Sequence, residues 1–293
     1  MNRYVISNFN FSDYSRNLLI SLGVIVFLLG CNNSKDQMAE EMYSQTPPLS
    51  EETRKSILTI KEHRILFAHH SVGNNILDGL KEIAQESGID FEVSRINDSI
   101  INEKSTFMDM VPGKNQYPKT KVDDFSKLIK NIDDELVPDI AFMKFCFLDF
   151  NPDTNVDELF EYYKNSIEEL KKARPDIKFV HLTVPLVAKP ESLKSRIKRL
   201  LGLSVWEEAS NITRAKFNDR ILKEFTDDPV FDLARVESTR LDGSRAQFSY
   251  KGKTYYNLVS EYTEDGSHLN ELGRHIAAEE MAIFLANMIS DKK

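Results

Sequence analysis

Along most of this chain, short apolar runs alternate with longer stretches whose apolar positions recur every three to four residues. A short apolar run suits a strand buried on both faces, and the longer periodicity suits an amphipathic helix, so the pattern predicts a parallel sheet covered by helices. Strands are predicted at residues 65–69, 91–96, 139–146, 178–184 and 230–233, with helices between them near 74–86, 121–132, 156–173 and 210–225. A last helix near 269–288 aligns Leu272, Ile276, Ala277, Met281, Phe284 and Leu285 on one face, which should pack on the sheet. The expected fold class is α/β, a three-layer α/β/α sandwich around a five-stranded, mainly parallel sheet. Residues 97–118 and the aromatic-rich segment 248–262 fall outside the alternation. The ligand crevice of an open α/β sheet lies beyond the carboxyl ends of its strands, where such insertions shape it.

The beginning of the chain follows a different pattern. Arg3 and Arg16 precede an apolar run over 18–29 that is too short to span a bilayer comfortably, as in an export signal. The run ends in Leu28-Leu29-Gly30-Cys31, which resembles the lipobox of bacterial lipoproteins. That resemblance implies a signal peptide over 1–30 and acylation of Cys31 as the mature N-terminus. The alternative, a buried helix with an incidental cysteine, lacks an amphipathic pattern to support it. Residues 31–50 are polar and contain Pro47-Pro48, a composition that reads as a tether. Ser50 before Glu51 and Glu52 has the character of a helix N-cap, so a single domain is expected over 51–293.

Charge and cysteine content narrow the partners. A formal net charge of −8 opposes nucleic-acid binding and argues against a basic patch adhering to anionic lipid, leaving the acyl group as the expected membrane attachment. The two cysteines are Cys31 and Cys146, so acylation of the first leaves no disulfide framework. The expected location is the bacterial cell envelope, facing the periplasm or the exterior.

Candidate chemistry lies at both ends of the domain. In Asp265-Gly266-Ser267-His268-Leu269-Asn270, an acid and an imidazole stand three residues apart before the last helix. A serine nucleophile needs a base to take its proton, and the base needs a carboxylate to fix its tautomer. Asp265 as a plain N-cap, with His268 in the first helical turn, would need no catalysis. At the other end, the strand Ile65-Leu66-Phe67-Ala68-His69 runs through His70-Ser71-Val72-Gly73 into a helix, placing Ser71 just past the strand's carboxyl end. Here the chain resembles the SGNH/GDSL hydrolases, in which a serine follows the first strand and a DxxH pair precedes the last helix. The resemblance spans roughly residues 65–288 and implies a flavodoxin-like SGNH fold, with Ser71 as nucleophile, Asp265 as orienting acid and His268 as general base.

The chain departs from the family where the oxyanion hole should be. The family's Gly-Asp-Ser reads His69-His70-Ser71. In Pro112-Gly113-Lys114-Asn115, Gly113 is the candidate for the family's glycine amide, with Asn115 as a second donor. The family's Gly-x-Asn-Asp motif after the third strand is replaced by Lys144-Phe145-Cys146-Phe147-Leu148-Asp149, leaving Lys144, Asn115 or Asn74 as the third donor. His70 and Lys144 are expected to line the pocket. His69 and His181 read as buried structural residues, and Cys146 as a small buried hydrophobe whose thiol Lys144 could activate. Tyr250, Tyr255, Tyr256 and Tyr262 fit either core and surface strand positions or a lid or sugar-stacking wall. No metal ligand spacing is present, and no cofactor is expected. The implied activity is ester hydrolysis through an acyl-enzyme, on a carbohydrate or other small-acyl ester. An acyltransferase using the same triad and an inactive glycan-binding lipoprotein are the alternatives.

Overall fold

All four side chains of Ile65–Ala68 (β1) are buried, as its unbroken apolar run requires for the middle of a sheet covered on both sides. The structure is a computed structural model that describes residues 47–96 and 106–290. The expected signal peptide, Cys31 and nearly all of the tether lie outside the described residues. Residues Thr46–Lys293 form a compact unit of their own, and the sheet, its helices and the core all lie within it.

The protein is α/β, with a six-stranded parallel sheet in the order β2-β3-β1-β4-β5-β6, flanked by helices. The other strands are Val93–Arg95 (β2), Phe107–Met110 (β3), Ile140–Met143 (β4), Lys178–Leu182 (β5) and Val230–Phe231 (β6). The sequence predicts five strands and misses β3. Its run Phe107-Met108-Asp109-Met110 is interrupted by an aspartate, which is buried because Arg95 Nε donates to Asp109 Oδ2 at 2.9 Å and His69 Nε2 lies 3.3 Å from the same oxygen. The strand that pairs with β1 on this side is β3, not β2. The loop after β3 is therefore next to the loop after β1.

The helices are Glu51–Ile60 (α1), Ser71–Glu86 (α2), Pro118–Asn131 (α3), Val156–Ala173 (α4), Leu193–Leu200 (α5), Trp206–Glu224 (α6), Leu233–Ser238 (α7) and Glu271–Ser290 (α8). Ser50 Oγ accepts from the Thr53 amide at 3.0 Å, the cap expected for α1. Alternate strand residues Leu66, Ala68, Met108, Ala141, Met143 and Phe179 pack with Phe125, Phe160 and Phe217 of α3, α4 and α6. Helix α8 packs against α2 and α1. The sequence reading has no counterpart of α5 or α7. Leu233, expected to end the fifth strand, instead begins α7, capped by Asp232. The aromatic segment contains the hairpin Gln247–Tyr250 (β7) and Lys253–Tyr256 (β8).

Candidate active site

Ser71 is the first residue of α2, separated from the end of β1 by His69 and His70. The first amides of a helix have no partner within it, so the Ser71 N–H points into the space beyond the strand ends, where the helix dipole favours negative charge. The tight passage from strand to helix depends on Gly73, since a Cβ there would lie 2.2 Å from Cγ of the buried His69.

Asp265 and His268 occupy a short loop before α8. His268 Nδ1 donates to Asp265 Oδ2 at 2.6 Å, and the amides of Ser267 and His268 both donate to Asp265 Oδ1 at 2.8 Å. Burial by itself raises the Asp265 carboxyl, but these hydrogen bonds, led by the His268 ring, hold it well below the usual carboxylate range. With its proton on Nδ1, a neutral His268 presents Nε2 as an acceptor.

Two contacts anchor this loop. Asn75 Oδ1 accepts from the Leu269 amide at 3.2 Å. Asn75 lies four residues after Ser71 and so shares its face of α2, which puts the residue after His268 against the turn that carries Ser71. From the other side, the Ala188 amide donates to Gly266 O at 2.8 Å. The His268 ring meets Phe147 edge to face, with centroids 5.5 Å apart. Ser71 Oγ makes no hydrogen bond among the described residues, so it is not joined to the His268 ring.

The remaining candidates separate. The Gly113 amide, expected as an oxyanion donor, is committed to Asp124 Oδ2 at 2.7 Å. Asn115 uses its Oδ1 to accept from Lys121 Nζ at 2.8 Å, which leaves its Nδ2 hydrogens as donors. Lys144, expected at the pocket, is fully buried, with Nζ 3.1 Å from Phe145 O. Burial pushes its ammonium down to about 8, and burial pushes Glu237 up to about 8. His70 is half-buried, and its Nε2 donates to Pro112 O at 2.6 Å. Burial and the nearby lysines lower its pKa, against the pull of that carbonyl. The Cys146 thiol is free and buried. His181 is structural, hydrogen-bonded through Nδ1 to Tyr163 at 2.8 Å and stacked on Phe225. Among the tyrosines, Tyr262 is core and donates to Thr239 O at 2.9 Å, whereas Tyr250 and Tyr256 are exposed.

Sequence reasoning missed Asn75 and the pair Lys121–Asp149. The i, i+4 spacing of Ser71 and Asn75 is a visible signal, but only once the loop at 265–268 is known to face α2. Asp149 is fully buried as a side chain and accepts from Lys121 Nζ at 2.6 Å, the Cys146 amide at 2.7 Å and the Gln116 amide at 2.9 Å. It thus ties the loop after β3 to the turn after β4.

No family model matches this chain, and no curated protein does. Solved structures of similar shape exist. A family 3 carbohydrate esterase from Talaromyces cellulolyticus is 16% identical, covering 78% of this chain and 97% of its own, with a TM-score of 0.43. A family 3 carbohydrate esterase from Clostridium thermocellum is 12% identical, covering 78% and 98%, with a TM-score of 0.41. The periplasmic domain of a lipopolysaccharide acetyltransferase from Salmonella ser. Paratyphi A is 10% identical, covering 86% and 95%, with a TM-score of 0.42. In its sheet order and helix layers the fold is consistent with that of an SGNH hydrolase.

Proposed function

We propose that this protein is a serine hydrolase that cleaves esters through Ser71, His268 and Asp265. The observation that carries the reading is the Asp265–His268 hydrogen bond, which leaves Nε2 as an acceptor in a loop fastened by Asn75 to the turn that begins at Ser71. His268 Nε2 takes the Ser71 proton as Oγ attacks the ester carbonyl, while Asp265 holds the imidazolium. The oxyanion rests on the Ser71 amide and Asn115 Nδ2, each donor of this kind contributing roughly 2.7–4 kcal/mol in the transition state. His268 returns the proton to the departing alcohol, and water, activated by the same imidazole, then releases the acid and restores Ser71.

The side chains of Asp265 and His268 are 55% and 42% exposed, so the site opens outward and accommodates a bulky alcohol with a small acyl group. This supports an O-acylated carbohydrate over a substrate that must be enclosed. On this reading, an acylated Cys31 holds the domain at the cell envelope. Acetate release from acetylated oligosaccharides tests the activity. Ser71→Ala and His268→Ala should each lower kcat by about a thousandfold or more, and Asp265→Asn by about a hundredfold or more, in folded protein. Unchanged turnover in Ser71→Ala would sink the assignment. Acetyl transfer to an added sugar at the expense of free acetate would make the protein an acyltransferase with the same triad.

A further inference from the structure

Helix α5 has its apolar and polar faces reversed. Ser195 is buried, and Lys198 and Arg199 are half-buried, on the side turned toward the protein. Arg199 pins that side down, donating from Nε to Glu208 Oε1 at 2.5 Å and from Nη2 to Pro190 O at 2.5 Å. The outward side carries Leu193 at 74% exposure, Ile197 at 47%, Leu200 at 85% and Leu201 at 68%. At helical spacing these four fill an arc of about 100°, bordered by Lys194 on one side and Arg196 on the other. Just past the helix, Leu203 and Trp206 are also more than half exposed. A cavity of about 220 Å³ adjoins this segment and is lined by Leu203, Val205, Phe248 and Tyr250, so the β7–β8 hairpin borders it.

We infer that this face docks on the surface of an anionic phospholipid bilayer. An exposed apolar arc of this size costs free energy in water and gains it in the interfacial zone of a membrane. Cations at its two borders can extend their stems along the acyl boundary and place their charges among anionic headgroups. Charge complementarity selects this occupant. Lys198 and Arg199 face the protein, but the outward arc is bordered by Lys194 and Arg196, and Glu191, which pairs with Lys189 and Arg196, is the lone carboxylate between 189 and 206 in a chain whose overall charge is −8. A second copy of the chain fits less well, because a two-fold interface on this face would bring the border cations of both copies, Lys194 and Arg196, into one contact. The net charge argues at the sequence level against a basic patch of this kind, but it averages over the whole chain and conceals the local excess.

Ala188, whose amide holds the 265–268 loop through Gly266, is only five residues from Leu193, at most about 18 Å of extended chain. Docking would therefore keep the candidate site close to the membrane surface.

Trp206 is the chain's single tryptophan and stands just past α5, so it reports docking directly. The unacylated chain from Asn32 onward retains the compact unit, and its Trp206 emission is measured with vesicles of phosphatidylcholine alone and of phosphatidylcholine with phosphatidylglycerol at 7:3. The expected result is a blue shift with the anionic vesicles, quenching by brominated acyl chains, and co-flotation. Vesicle affinity should fall on the order of tenfold or more in Lys194→Glu/Arg196→Glu, and also in Leu200→Gln/Leu201→Gln with an unchanged circular dichroism spectrum. An emission spectrum that anionic vesicles leave unaltered overturns the inference. So does a lipid-free blue shift that follows protein concentration, which would assign the face to a second copy.

Discussion

Buried Asp149 holds Lys121 Nζ and two backbone amides at once, and neither side chain of the ion pair reaches solvent. Removing one member of such a pair strands a charge in the interior, so Asp149→Ala should lower stability by about 3–5 kcal/mol in chemical denaturation. The double change Lys121→Met/Asp149→Leu should recover much of that loss. It would not recover Asn115, whose amide Lys121 orients, so esterase activity should stay low in the repaired variant. Gly73 gives a second residue-scale expectation: Gly73→Ala drives a methyl into the His69 ring and should cost at least about 1–3 kcal/mol as an overpacking change. Ser71, Asp265 and His268 were legible as candidates in the sequence because each sits at a local landmark, a strand-to-helix passage or a three-residue acid–imidazole spacing. Asn75, Lys121 and Asp149 were not, because their partners lie in segments brought together only by the fold.

At the scale of elements, the strap at 184–188 depends on two side chains of α6. Asn211 exchanges two hydrogen bonds with the backbone of Val187, and Asn218 does the same with Val184, taking the place of a neighbouring strand. The two asparagines are seven residues apart, two turns on one face of α6. Asn218→Ala leaves a buried amide and carbonyl without partners and should cost about 2–4 kcal/mol, read as a lowered thermal midpoint. Because the strap also carries Ala188, the same change should lower kcat more than it raises KM. Helix α4 was legible to its ends because Asn155 caps it and its apolar stripe is regular. Strand β3 was hidden by Asp109, whose charge makes sense only with Arg95 and His69 beside it. Helix α5 was hidden for the opposite reason: its strong periodicity points away from the core, so it fits no layer of the sandwich.

For the whole molecule, the pH dependence of stability is set by buried groups that pull in opposite directions. Burial lowers His181 to about 4, against the attraction of Asp228, so the folded protein keeps it neutral where the unfolded chain takes a proton. The folded pKa lies below the unfolded one, so this contribution is complete above about pH 6.5 and is lost as pH falls toward 4. The loss is on the order of 3 kcal/mol. The carboxyls of Asp109 and Asp228 act in the same sense at lower pH. Burial raises both, but the His69 and Arg95 contacts and the Lys171 contact outweigh it, so their stabilisation is lost as pH falls through their depressed values. Buried Glu237, raised to about 8, acts in the opposite sense over the same range, so the His181 contribution is read by difference: the stability gap between the native protein and His181→Gln should narrow as pH falls from 7 to 4.

The central claim is that Ser71 is an activated nucleophile served by His268, and labelling with a fluorophosphonate tests it most directly. The native protein should be modified on the peptide that contains Ser71, as read by mass spectrometry, with Ser71→Ala unlabelled and His268→Ala labelled far more slowly. A folded native protein that takes up no probe, or that takes it up on another residue, would contradict the account.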